Sequence, residues 1–288
     1  KGRPNGRIIV WDDLLGEFVP VEGVKVVAHC GLKTAKGITD ENGYFSVSKT
    51  FNRAVKYSIV WEDEYWDIRQ GKTKQARYHN GNKTTASWNV TFNNYSSYRN
   101  YAHLHRTLRY HFYEDSKGAG RVSSNKKLKV SYIHGTSEDG YAAYFTPNAI
   151  GGIKTDIVVY GRTCTNFEWS SSTIISNLFH ELGHATMFTG VSINDYREKD
   201  STIKEPWACF YSWLHTYYFY EKYDAGDKIR EKLKYNNSLV YYDVPSNLNK
   251  QYWTKGDDEY NPLVIDLFDN NNQRWWAINN VHLYNRTS

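Results

Sequence analysis

Apolar and polar residues alternate with period two across the first third of the chain. Strand patterns of this kind cover residues 6–11, 24–28, 44–47, 55–61 and 88–92. The group Asp40, Glu41, Asn42, Gly43 places a turn before one of them. It could also suggest a calcium ligand set, but the turn is the simpler reading. Short strands with turns between them predict a small β-sandwich over residues 1–95. From residue 97 the period changes. A helix is expected over 97–113, with Tyr101, His105, Leu108 and Phe112 along one side. His103 and His105 are two residues apart, cannot share a helix face, and read as packing or surface residues. A polar loop runs through Lys127. Strands then follow at 128–134, at 142–146 as an edge candidate, and at 157–160 as an inner one.

A second helical pattern is the most apolar. Ile174, Ile175, Leu178, Phe179, Leu182 and Met187 give it a broad hydrophobic face. Ser170, Ser171, Ser172 and Thr173 supply the N-cap, and Gly190 lies where the helix can stop. A third helix is expected to open at Glu205 and run to about Tyr223, with Pro206 in its first turn. A helical part including residues 262–268 ends the chain. The predicted fold is two-domain: an N-terminal all-β sandwich, 1–95, and a C-terminal α+β domain, 96–288.

The apolar helix carries His180-Glu181-Leu182-Gly183-His184. Histidines four apart lie on one helix face and can hold one zinc ion. Glu181 follows the first of them and can serve as base to a zinc-activated water. A catalytic zinc takes a third protein ligand. Asp195, Glu198, Asp200, Glu205 and His215 are the downstream candidates, and Glu205 is preferred. Asp195, Glu198 and Asp200 fall in a polar run that reads as a solvated loop. The competing role for Glu205 is to cap its own helix, where the dipole favours a carboxylate.

These residues resemble the gluzincin class of zinc metallopeptidases, in particular bacterial secreted proteins with H-E-x-x-H and a later E-x-W-A, here Glu205-Pro206-Trp207-Ala208. The metzincin pattern is excluded, because it needs glycine at 187 and histidine at 190, and the chain has Met187 and Gly190. The resemblance implies a zincin-like C-terminal domain. It also implies that Ala142, Ala143, Tyr144 and Phe145 form a substrate-binding edge strand, with the inner strand after it. Thermolysin-type members often carry an aspartate four residues after the glutamate ligand. Cys209 stands there, so that part of the pattern is not carried over. The stretches 19–24 and 39–45 are similar to the carboxypeptidase regulatory-like (transthyretin-like) domain, an accessory or binding module without catalytic residues.

The 288 residues carry 36 basic and 31 acidic side chains, a net charge of +5 that implies no nucleic-acid partner. Cys30, Cys164 and Cys209 are far apart without a C-x-x-C; an odd count leaves at least one free thiol. Twenty-five Tyr, ten Trp and twelve Phe suit a core and also a recognition surface. No run reaches the ~20 apolar residues of a membrane span. The start at Lys1 without methionine suggests a removed leader, hence an extracytoplasmic, secreted or surface-attached protein. The expected function is a zinc-dependent peptidase with a peptide or protein substrate. Metal would be held by His180, His184 and Glu205, with Glu181 as catalytic base. Tyr211, His215, Tyr241 and Tyr242 are candidate oxyanion donors by residue type. The alternatives are a catalytically silent zincin-fold binder of glycan or protein, and a structural zinc site closed by a fourth ligand. The sequence leaves the oligomeric state open.

Overall fold

The computed structural model describes residues 2–93, 96–123, 126–137, 142–146, 154–190, 196 and 201–229. Strand β1 (Asn5–Asp12) buries every second residue, Ile8 and Val10 among them. It pairs antiparallel with β2 (Glu17–Pro20) and β5 (Tyr44–Ser46), and parallel with β10 (Trp88–Phe92). A second, antiparallel sheet runs in the order β4 (Lys33–Ile38), β3 (Lys25–Cys30), β6 (Lys56–Val60), β9 (Arg77–His79). Val26, Ala28, Tyr57 and Ile59 are its buried positions. In the turn before β5, Asp40 Oδ1 accepts the N–H groups of Asn42 and Tyr44 at 2.9 Å each. Gly43 has φ +78°, and a side chain there would strike the Ile8 carbonyl oxygen. Asp40 is therefore occupied in closing a turn.

The third sheet runs β12 (Ala143–Phe145), β13 (Ile157–Tyr160), β11 (Leu128–Ile133), β7 (Trp66–Gln70), β8 (Lys74–Gln75). Its three central strands are parallel and its two outer pairings antiparallel. Strands β7 and β8, from the N-terminal third, thus belong to the sheet that carries β11–β13. The buried apolar residues form one cluster from Ile8 to Ile229. The architecture is a mixed, sheet-rich α+β fold whose N-terminal and C-terminal parts share a sheet and a core.

Helix α1 (Ser97–Tyr113) has the expected bounds. Ser96 Oγ caps it by accepting the Tyr98 N–H at 3.2 Å. His103 Nε2 donates to the Trp11 carbonyl and His105 Nε2 to the Glu22 carbonyl, both at 3.0 Å. Both rings are fully buried and serve packing. Helix α2 (Ser171–Gly190) carries the histidine motif, and α3 (Ser201–Glu221) carries Glu205.

The end of β1 sets where these helices start. Asp13 Oδ2 accepts the Ser171 N–H at 2.8 Å, and Ser171 Oγ accepts the Asp13 N–H at 2.7 Å. A carboxylate at that end of α2 also meets the positive pole of the helix dipole. Arg99 bridges Asp13 Oδ1, at 3.1 Å, to the Trp169 carbonyl, at 3.0 Å. Asp12 is fully buried and takes bonds from Arg106 Nη1 at 2.9 Å and from the Tyr220 hydroxyl at 3.3 Å. Burial alone would raise its pKa, but the charges of Arg106 and His103 outweigh that and hold it below the usual carboxylate value. One corner of β1 therefore ties α1, α2 and α3 together.

Among the described residues no helix is long and apolar enough to cross a membrane. Cys30, Cys164 and Cys209 are all free. The helix expected at 262–268 lies outside the described residues.

Candidate metal centre

Helix α2 is buried along most of its length, because Ile174, Ile175, Leu178, Phe179, Leu182 and Ala185 all face protein. Its polar motif is therefore turned into a crevice against α3. The two helices meet closely at Gly183. A Cβ there would lie 2.8 Å from both Ala208 Cα and Tyr211 Cβ. The absence of a side chain is what lets α3 approach. Two bonds fix the helices' register: Trp207 Nε1 donates to the Gly183 carbonyl at 3.1 Å, and Ser212 Oγ to the Ser176 carbonyl at 2.7 Å.

This approach brings three donors together. His180 Nε2 and His184 Nε2 are 3.2 Å apart. Glu205 Oε2 is 3.3 Å from His180 Nε2, and Oε1 is 3.3 Å from His184 Nε2. Of the His, Cys, Asp and Glu side chains among the described residues, these three form the group whose ligand atoms converge. Ligands bonded tetrahedrally at ~2.0–2.1 Å stand about 3.3 Å from one another. The donor set therefore fits one small divalent cation in both chemistry and spacing. Burial penalises charge on Glu205, but its contacts with His180 and His184 hold its carboxyl well below the usual range. Burial likewise opposes charge on His180, yet contacts with Cys209 and Glu205 raise its pKa.

Glu181 sits beside this group and is 5 % exposed. Burial pushes its carboxyl above the usual value and Glu205 adds to that, against the lowering by His180 and His184. Its carboxylate makes no hydrogen bond among the described residues, so it is free to exchange a proton.

Two details depart from expectation. Helix α3 starts at Ser201, so Glu205 lies in its second turn and is not its cap. The terminal-dipole argument for a carboxylate at this position falls away. The run around Tyr196 was expected to be solvated, but Tyr196 is helical and 6 % exposed. Its ring packs on Phe145 of β12 and Phe188 of α2, with centroids 6.4 and 5.4 Å away. Burial, aided by the charges of Glu205 and Glu181, pushes its hydroxyl up to about 12. It is therefore a protonated donor at neutral pH. The sequence signal for it was slight: a single aromatic in the polar run 194–200.

The remaining candidates separate clearly. Strand β12 (Ala143–Phe145) is the outer strand of its sheet, antiparallel to β13, with Phe145 against Phe188 of the motif helix at 5.7 Å. Ala142 sits just before it, its carbonyl accepting the Tyr160 N–H at 2.9 Å. Tyr144 lies 6.3 Å from the Tyr160 ring. Tyr211 is fully buried, its hydroxyl held by His111 Nδ1 at 2.9 Å and by the Gly120 carbonyl at 3.0 Å. His215 is buried against Phe179 and Tyr211 with neither ring nitrogen bonded among the described residues. Neither is placed to serve the crevice. Asp195, Glu198, Asp200, Tyr241 and Tyr242 lie outside the described residues.

No family model, curated protein or solved structure matches this chain.

Proposed function

We propose that the chain is a zinc-dependent peptide hydrolase of gluzincin type. One observation carries this reading: two imidazole nitrogens and a carboxylate converge within 3.3 Å of each other, next to a buried glutamate that makes no hydrogen bond among the described residues. His180, His184 and Glu205 would hold the ion. Two nitrogens and one oxygen suit zinc, and three protein ligands leave a position for chemistry. When bound there, zinc would supply a Lewis acid that polarises a carbonyl and acidifies water.

The chain's own residues carry the rest. Glu181 takes a proton from the attacking water and returns it to the leaving amine; burial raises its pKa, which favours the uptake of that proton. Tyr196 offers a protonated hydroxyl to the developing oxyanion. The outer edge of β12 accepts an extended peptide by strand addition. Phe145, Phe188 and Tyr196 provide an apolar wall beside that edge. The N-terminal sheets, whose stretches 19–24 and 39–45 resemble in sequence a carboxypeptidase regulatory-like domain, would act as an accessory module.

A peptide-library digest by the wild type and by Glu181→Gln tests this. Cleavage by the zinc-loaded wild type is expected, with loss of cleavage but retention of zinc in the variant. Zinc held equally by both, with no peptide cut by either, would refute the hydrolase.

A further inference from the structure

We propose that Cys209 is a positioning residue: its sulfur holds the Nδ1 side of the His180 ring so that Nε2 points at the metal position. The inference rests on the metal-binding reading above. Cys209 Sγ lies 3.8 Å from His180 Nδ1, a contact suited to the larger sulfur atom. The opposite nitrogen of the same ring, Nε2, is the one that meets His184 and Glu205 at 3.2 and 3.3 Å. The ring therefore spans between a sulfur and the donor group.

The geometry follows from helix periodicity. Cys209 is four residues after Glu205 on α3, so both project from one face. Glu205 reaches the Nε2 side of His180, and Cys209 reaches the Nδ1 side. The close contact of Gly183 with Ala208 sets the distance for both. A histidine that gives Nε2 to a metal carries its proton on Nδ1. That proton needs an acceptor, which fixes both the tautomer and the ring plane. For His180 the sulfur is the acceptor among the described residues. His184 differs, because its Nδ1 is buried with no partner among the described residues. The two histidines are thus unequal, and His180 is the one whose orientation depends on a neighbour. Sulfur is a weaker acceptor than a carboxylate, so the hold is looser than an aspartate at the same place would give. Cys209 stands outside the converging donor set and is not a ligand.

The test is a Co2+ titration of the full chain, followed by the visible absorption of the bound ion. Wild type, His180→Ala, Cys209→Ala and Cys209→Asp are compared. Loss of an outer partner of a ligand costs roughly 10–100-fold in metal affinity, so Cys209→Ala is expected to weaken Co2+ binding by that factor. Cys209→Asp should restore it. Removing a merely structural cysteine would not be rescued by a charged side chain. The exchangeable imidazole N–H of His180, shifted by Co2+ in the proton spectrum, should exchange with solvent faster in Cys209→Ala. Near-UV circular dichroism checks folding; if Cys209→Ala does not fold, Cys209→Asp decides, and Co2+ binding tenfold weaker than wild type would overturn the proposal. A Cys209→Ala protein with wild-type affinity and an unchanged N–H signal overturns it too, while leaving the metal site standing. If wild type binds no Co2+, or His180→Ala binds it as tightly, the metal reading fails and this inference fails with it.

Discussion

Replacing Gly183 by alanine tests how the crevice is built. The added Cβ would stand 2.8 Å from Ala208 Cα and from Tyr211 Cβ, and 3.3 Å from Tyr211 Cγ. Carbon atoms rest at about 3.5–4.0 Å, so α2 and α3 must part by roughly 1 Å. The first of the two closest atoms is backbone and cannot swing aside. Helix propensity alone favours alanine over glycine by ~0.8–1.0 kcal/mol. Overpacking costs ~1–3 kcal/mol, so the net effect is a loss of about 0–2 kcal/mol. The effect on the metal site is larger, because a binding constellation works only within ~0.5 Å of its geometry. Glu205 would be carried away from His180 and His184, and zinc affinity should fall about tenfold or more. A tenfold loss removes ~1.4 kcal/mol of the stabilisation that saturating zinc gives. Urea unfolding with and without zinc, together with calorimetric titration, measures both terms. A Gly183→Ala protein about 1 kcal/mol more stable than wild type, binding zinc equally well, would refute the helix contact.

Further outcomes follow from other parts of the structure. Glu205→Gln keeps the shape but removes the charge, and zinc should then be lost on dialysis against buffer that leaves the wild type loaded; retention would remove Glu205 from the ligand set. Arg106→Ala leaves the fully buried Asp12 without its main partner and should destabilise by ~3–5 kcal/mol in urea unfolding. An effect below about 1 kcal/mol would show that this corner does not hold the helices. Burial pushes His103, His105 and His215 down to about 3, about 4 and about 3. An unfolded histidine titrates near ~6.5, so the unfolded chain takes up these protons first as pH falls. Stability is therefore full above pH ~6.5 and drains from there down to about 4 for His105 and about 3 for His103 and His215, by up to ~1.4 kcal/mol per pH unit for each ring. Equal stability at pH 7 and pH 5 would contradict the buried, neutral state.

Much of this arrangement is legible in the sequence because local signals and burial agree. The change of period at residue 97 marks the start of α1. The serines before Ile174, and Gly190 after Met187, bracket α2. The four-residue spacing of His180 and His184 fixes their common face before any coordinates. Other features depend on neighbours that no local pattern names. The strand patterns named above do not include 66–70, yet β7 forms there and joins β11. Pro206 looks like a first-turn residue, so the turn that starts at Ser201 is hidden behind it. Tyr196 lies in a charged run whose composition says solvent, while its ring is covered by Phe145 and Phe188. Cys209 interrupts the resemblance in sequence, and only the packing of α2 on α3 puts its sulfur against His180. Glu205 is preferred from its place in the chain, and the helix contact at Gly183 supplies the physical reason that it reaches both histidines.

The central claim is that His180, His184 and Glu205 hold one zinc ion. X-ray absorption at the zinc K edge, on zinc-loaded protein with its metal content measured, addresses it most directly. The expected result is one zinc per chain, with nitrogen and oxygen neighbours alone at about 2.0–2.2 Å. A chain that takes up no zinc, or a zinc with a sulfur neighbour at about 2.3 Å, would contradict it.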